Sequence, residues 1–387
     1  MVENLKDQFN CIFGGDGDLQ TFFAPGRVNL IGEHTDYNGG HVFPCALSIG
    51  TYMVVRKRTD DIVQMHSLNF EDLGVICFNI NELEFVKAHD WANYPKGVMK
   101  MFNEAGLTVT SGFDALIYGN IPNGSGLSSS ASLELVTSVM LKHLFALNVS
   151  MVDMVKLSQK AENEFIGVSC GIMDQFAIGM GKKDHAVLLD CQTLEYTYSP
   201  VKLENASLII ANTNKRRGLL DSKYNERRFE CERALGQLKE KVEITSLGEL
   251  TVEQFEELKN TITNEVDRKR AKHAVYENAR TIEAVERLQK GDIAGFGQLM
   301  NQSHTSLRDD YEVTGFELDA LVEGAWSHPG VIGSRMTGAG FGGCTISIVE
   351  NDEVDNFIEN VGKIYKDKTK LTADFYVVQI GDGAKQF

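Results

Sequence analysis

The 387-residue chain holds only 6 prolines beside its 36 glycines. A proline-rich linker protein and a collagen-like repeat are excluded by that ratio. No run approaches the roughly 18–20 continuous apolar residues of a membrane-spanning helix. The opening MVENLKDQFN lacks the basic segment and apolar stretch of a secretory signal. The cysteines are few, odd in number at seven, and never spaced CxxC. Neither a disulfide framework nor a zinc ribbon is expected; reduced thiols in a cytoplasmic protein are. Positive charge is scarce as well: 38 Lys and Arg stand against 54 Asp and Glu, a net charge of −16. Nucleic acid and anionic membrane, themselves polyanions, are therefore not expected as partners. No GxxxxGK[ST] occurs, and no GxGxxG follows a strand, so a P-loop and a dinucleotide-binding fingerprint are both absent.

What is present is the composition of a folded soluble protein, with 43% hydrophobic and 24% charged residues. The length suits two or three domains or lobes at roughly 100–200 residues each. Short runs rich in Val, Ile and Tyr read as strands: Ile49–Arg56, Ala186–Leu189, Ala206–Ala211, Cys344–Val349 and Phe375–Ile380. Leu133, Val136, Met140 and Leu144 fall on one face of a helix. Met151–Ile166 reads as a second helix, with Ser150 as its N-cap and Gly167 as its stop. Residues 218–240, 266–290 and 352–366 also read as helices. Strict strand–helix alternation is missing, which favours α+β layers over a doubly wound sheet. A boundary is expected near 180–205, where Gly179, Gly181 and a polar stretch precede Pro200.

Three glycine-punctuated segments carry the chemistry. Ala24–Gly40 packs Arg27, Asn29, Glu33, His34, Thr35, Asp36, Tyr37 and Asn38 into a short loop. Carboxylates accept and His or Asn donate, which suits a polyhydroxy ligand; an exposed polar turn is the equal alternative. Asn120–Ser132, NIPNGSGLSSSAS, leads into the 133–145 helix. Small residues there allow close approach of an anion to the unpaired N–H groups of a helix start. A serine-capped helix after a flexible turn is the plainer reading. The third, Ser334–Cys344, sets four glycines in six residues before a strand. Its turn must press on something, a ligand or another part of the chain.

Two carboxylates stand apart: Glu162 near a helix end, and Asp174 among apolar neighbours in CGIMDQF. A buried carboxylate must be paired or hydrogen-bonded, although a surface acid or a helix cap is the commoner meaning of each. Asn212–Arg228 carries six basic residues against two acidic ones. It is either a solvated basic face or an attractor for an anionic substrate.

In this order and spacing the three glycine segments resemble the three motifs of the GHMP small-molecule kinases. The first, GRVNLIGEHTDYNGG, is similar almost letter for letter to the motif of the galactokinase family; GIMDQF and SKYNERR are similar to that family too. The resemblance implies a two-lobed α+β fold with its active site in the cleft between lobes. Residues 1–200 would carry the sugar segment and the phosphate-binding loop, and residues 201–387 would form the second lobe. It also implies transfer of the ATP γ-phosphoryl group to the C1 hydroxyl of α-D-galactose, giving galactose 1-phosphate and ADP in the Leloir route. By the same resemblance Glu33, His34, Thr35 and Asp36 line the sugar, Gly171 approaches it, and Tyr224 faces it from the far side. Gly124, Ser125, Gly126, Leu127, Ser128, Ser129 and Ser130 cradle the phosphates, and Ser67 touches the nucleotide. Ser130 and Glu162 hold Mg²⁺. Asp174 is the catalytic carboxylate, and Arg27 is its partner at the transferring phosphoryl group. No obligatory protein partner is implied.

These roles agree with general chemistry. Phosphoryl transfer depends mainly on positioning and charge neutralisation. Mg²⁺ prefers oxygen ligands and keeps waters, and Arg binds phosphoryl oxygens through two parallel bonds as Lys cannot. An Asp beside an Arg is a weak base, so Asp174 is expected to orient the hydroxyl and take its proton late. Two rivals follow from the same resemblance: a sugar sensor without catalysis, and a kinase for N-acetylgalactosamine or arabinose. The complete Ser128–Ala131 stretch weighs against the first, and EHTDY against the second.

Overall fold

A computed structural model describes residues 2–15, 17–122, 126–215 and 220–387, without the side chains of residues 220–222. Its strands are β1 (Gln20–Asn29), β2 (His41–Val42), β3 (Pro44–Lys57), β4 (Ile62–Ser67), β5 (Ile76–Asn79), β6 (Phe113–Gly119), β7 (His185–Asp190), β8 (Tyr196–Pro200), β9 (Ala206–Asn212), β10 (Val331–Thr337), β11 (Cys344–Glu350), β12 (Asp374–Val378) and β13 (Lys385–Gln386). Its α-helices are α1 (Val2–Phe13), α2 (Asn93–Glu104), α3 (Ser129–Leu144), α4 (Met151–Lys160), α5 (Met173–Met180), α6 (Leu220–Leu238), α7 (Val252–Leu258), α8 (Glu265–Gln289), α9 (Ile293–Asp309), α10 (Gly315–Trp326) and α11 (Val354–Thr369). Strands and helices are layered rather than alternating, so the α+β expectation holds.

One sheet runs β13-β1-β3-β6-β4-β5, a second β10-β11-β9-β12, and a third β2-β7-β8. In the first, β4 and β6 are parallel and the other pairs antiparallel. Helix α3 lies on this sheet, and its periodic Leu133, Val136, Met140 and Leu144 are all buried in one core with Phe22, Met53 and Phe113. In the second sheet both faces are covered. Leu208 and Ile210 of β9 join Val28, Phe43 and Phe296, while Ile209 and Ala211 face Leu321, Phe357 and Tyr365. Alternate residues of one strand thus feed two cores, as the two-residue period of a strand requires.

Two local features position the site. The β1–β3 register shifts between Pro25 and Arg27, a bulge that re-aims the Arg27 side chain. The helix expected over Met151–Ile166 is instead α-helix to Lys160 and a π-turn over Ala161–Ile166, where the Gly167 N–H donates to the Glu162 carbonyl at 3.0 Å. Such single π-turns occur often at functional sites, and this one carries Glu162. Ser150 caps α4, its Oγ accepting from the Asp153 N–H at 3.1 Å. Ser150→Ala is expected to cost about 1 kcal/mol, checked by the urea midpoint at unchanged slope.

Candidate active site

Two cavities adjoin and share Tyr94, Ser129 and Ser130. The first, of about 500 Å³, is walled by Phe70, Phe85, Trp91, Ile117 and Leu133, with Ser67 at its edge. The second, of about 320 Å³, gathers Arg27, Glu33, His34, Asp36, Gly126, Ser128, Glu162, Gly171, Asp174 and Tyr224. Residues separated by more than three hundred positions in the chain, from Arg27 to Ala339, therefore converge on one cleft.

Asp174 lies in the first turn of α5, where the helix dipole favours a carboxylate. Both its oxygens are engaged: Oδ1 accepts from Arg27 Nε at 2.9 Å, and Oδ2 from Arg27 Nη2 at 2.7 Å and from the Ser128 hydroxyl. Arg27 Nη1 donates to the Gly126 carbonyl at 2.8 Å, and the Arg27 N–H donates to the Leu127 carbonyl at 3.2 Å. The bulge in β1, the glycine loop and α5 are thus tied together by one guanidinium. Ser128 stands in the left-handed region at φ 61°, a conformation that costs a non-glycine residue on the order of 1 kcal/mol. It turns its hydroxyl toward Asp174 instead of capping α3.

On the opposite wall Glu33 is buried and surrounded by donors. Asn29 Nδ2 and the Gly338 N–H donate to its two oxygens, and Arg335 Nη2 lies 3.4 Å away. Burial still raises its pKa, against the pull of Arg335 and Arg27. His34 is left-handed at φ 61°; its Nδ1 is 2.8 Å from the Tyr37 hydroxyl, and its buried Nε2 has no partner among the described residues. Burial, then the neighbouring His273, hold its pKa down to about 3, so it stays neutral. Asp36 is pushed up to about 7, by burial first and then by Asp174. The Tyr224 ring lies 5.7 Å from that of His34.

The Thr35 side chain is not on this wall. It is fully buried, with Oγ1 at 2.8 Å from the Gly32 carbonyl and 2.7 Å from the His41 carbonyl, and it shapes the loop. Gly171 meets Asp36 so closely that a Cβ there would fall 1.8 Å from Asp36 Oδ2. Gly171→Ala is expected to displace the Asp36 carboxylate and weaken ligand binding in the polar cavity at least tenfold, while binding in the aromatic cavity moves less than threefold, read by titration of each ligand.

In the serine loop, Gly124 and Ser125 lie outside the described residues. Gly126, Ser128, Ser129 and Ser130 face the cleft, whereas the Leu127 side chain points into the core. Burial and then Asp174 raise the pKa of Glu162, against the lowering effect of the neighbouring Ser130 hydroxyl. Among the described residues no three His, Cys, Asp or Glu side chains gather as a metal cage. One hydroxyl and one carboxylate beside a glycine–serine loop at a helix start do fit Mg²⁺, which takes few protein oxygens and completes its shell with water and phosphate. The third glycine segment presses on the chain itself: at Gly340 (φ 81°) a Cβ would lie 2.3 Å from the Val313 carbonyl. It also reaches the cleft through Gly338 and Ala339.

Sequence reasoning missed several members. Arg335 lies in the third glycine segment, but nothing in the sequence marks it as the fully buried partner of Glu33. The aromatic wall of the larger cavity is scattered over residues 70–91 without a period. The basic run is structural where described: Lys215 pairs with Glu317 at 2.7 Å, and Arg227 donates to the Tyr311 carbonyl at 2.8 Å. Residues 216–219 of that run lie outside the described residues. Among the described residues no helix is long and apolar enough to cross a membrane.

Comparison with known proteins gives three family matches. They are the galactokinase galactose-binding signature over residues 7–57, the GHMP kinases N terminal domain over 93–182, and the GHMP kinases C terminal over 282–367. The chain is 64% identical over 385 residues to the galactokinase of Fusobacterium nucleatum, covering 99% of each. The crystal structure of Lactococcus lactis galactokinase complexed with galactose superposes with a TM-score of 0.98 at 49% identity over 100% of both chains. The Methanococcus jannaschii mevalonate kinase shares the fold, at a TM-score of 0.64 and 18% identity over 95% of this chain and 99% of its own. The converging cleft and these full-length likenesses agree, and the chain belongs to the galactokinase family of GHMP kinases.

Proposed function

We propose that this chain is an ATP-dependent galactose kinase, transferring the γ-phosphoryl group of ATP to the C1 hydroxyl of galactose. The observation that carries the reading is the cleft of two adjoining cavities. The aromatic cavity suits a planar base, the polar one a sugar, and Ser129 and Ser130 line both. The start of the 16-residue α3 favours negative charge at the junction.

In the polar cavity Glu33 and Asp36 are acceptors for sugar hydroxyls, and the His34 ring lines the same wall. Tyr224 closes the far side. Asp174, fixed by Arg27 and Ser128, orients the C1 hydroxyl and takes its proton late, as bond formation acidifies that oxygen. Two of the five Arg27 N–H groups are not claimed by described partners, and they are available to the phosphoryl oxygens. Ser130 and Glu162 would hold Mg²⁺, which when bound neutralises charge on the phosphates. A lobe division near residue 200, a cytoplasmic location, a place in the Leloir route and independence of a protein partner belong to the same proposal.

The test is ADP release by purified protein with Mg²⁺ and galactose, glucose, N-acetylgalactosamine, arabinose or no sugar. Turnover with galactose alone, and a product phosphorylated at C1, is expected. Faster turnover of another sugar would move the specificity, and tight binding without turnover would favour a sensor.

A further inference from the structure

Gln175 sits one position beyond Asp174, and its side chain is fully buried. Its single amide nitrogen donates to two carboxyls: Glu162 Oε2 at 2.7 Å and Glu134 Oε2 at 3.0 Å. Glu134 is fully buried, on α3 one turn beyond Ser130, and Glu162 stands on the π-turn. Three elements thus meet at one amide. Glu162 otherwise meets the Cys170 thiol at 3.6 Å, with the Ser130 hydroxyl nearby. No described Lys or Arg pairs with Glu134 or Glu162 within 4.0 Å.

We propose that Gln175 and Glu134 are positioning residues for the divalent cation: the Gln175 amide, anchored on Glu134, holds the Glu162 carboxylate at the edge of the phosphate loop. The inference rests on reading Ser130 and Glu162 as cation ligands. Glu134 Oε1 and Gln175 Oε1 are both buried without a hydrogen-bond partner. The one amide nitrogen of Gln175 serves both carboxyl oxygens, so a change that moves or removes it releases Glu162 from its anchor. Outer-shell groups of this kind commonly change metal affinity about 10–100-fold.

The test is Mn²⁺ binding to the full chain with ADP, followed by the free-Mn²⁺ EPR signal, with galactose affinity and melting temperature measured alongside. Gln175→Met, similar in volume but without a donor, is expected to weaken Mn²⁺ at least tenfold and leave galactose affinity within threefold. Gln175→Asn, whose shorter side chain withdraws the amide, carries the same expectation if the Met variant does not fold. Glu134→Met should weaken Mn²⁺ in the same way, and Glu134→Gln, which keeps an acceptor oxygen for the Gln175 amide, should restore it to within threefold of wild type. Glu162→Gln separates the two readings. If Glu162→Gln leaves Mn²⁺ binding intact, the ligand assignment is wrong. If Glu162→Gln weakens Mn²⁺ and neither Gln175 variant does, the positioning role is overturned. If Glu134→Gln is as damaging as Glu134→Met, an acceptor oxygen at position 134 is not what anchors the amide, and the proposal fails at Glu134.

Discussion

Asp174→Asn is expected to lower kcat by about a thousandfold, with nucleotide affinity within a few fold of wild type. The size follows from the geometry. The carboxylate accepts two bonds from Arg27 and one from Ser128, so its plane is fixed relative to the glycine loop. An amide offers one oxygen where the carboxylate offers two, and its NH₂ would face an N–H of the Arg27 fork. The variant loses the proton acceptor and also the orientation of the arginine. Positioned general bases contribute about 10²–10⁴-fold, and a thousandfold loss is about 4 kcal/mol of barrier. Asp174→Ala should cost at least as much, because the largely buried Arg27 side chain then loses its counter-charge. The cavity with the aromatic wall does not include Asp174, so nucleotide binding is spared. Steady-state ADP release at saturating galactose and titration with a non-hydrolysable ATP analogue separate the two quantities. A kcat within tenfold of wild type would remove Asp174 from the chemistry.

How much of this was legible in the sequence depended on whether the signal was local. Glycine clusters and dense polar loops announce themselves over a dozen residues, and Arg27, Glu33, His34, Asp36 and Asp174 do converge. Within such a motif, however, neighbouring side chains take opposite directions. Thr35 and Leu127 sit between cleft residues and turn inward, because a loop must also satisfy its own carbonyls and seal its own core. The helices of α3 and α4 were readable from a 3.6-residue period and a serine cap. The π-turn was not, since six residues are too few to tell a wider period from a narrower one. Pairings across the chain left no local trace at all. Gln175 and Glu134 are 41 residues apart, and Arg335 reaches a glutamate over three hundred positions away. Likewise the return of β13 to β1 joins the two ends of the chain, and no period or motif encodes such a contact.

Arg27→Lys is expected to lower kcat about a hundredfold while galactose KM rises less than fivefold. Both residues carry one positive charge, so a purely electrostatic role would survive the change. The guanidinium does more than carry charge. Its Nε and Nη2 meet both Asp174 oxygens, and its Nη1 meets the Gly126 carbonyl. A lysine ammonium is a point donor on a flexible stem, and it cannot reproduce a planar fork on two separate partners. It must leave either the carboxylate or the loop carbonyl, and it offers fewer donors to the phosphoryl group. Loss of a single donor aimed at developing charge costs about 10²–10³-fold in kcat, and Lys retains part of that charge, which places the expectation at the lower end. On the proposed reading the sugar would be held chiefly by Glu33, Asp36 and the His34–Tyr224 side of the cavity, none of which hydrogen-bonds to Arg27. Hence KM should move little. The opposite pattern, with KM raised and kcat preserved, would make Arg27 a sugar-binding residue and leave Asp174 to be oriented by Ser128 alone.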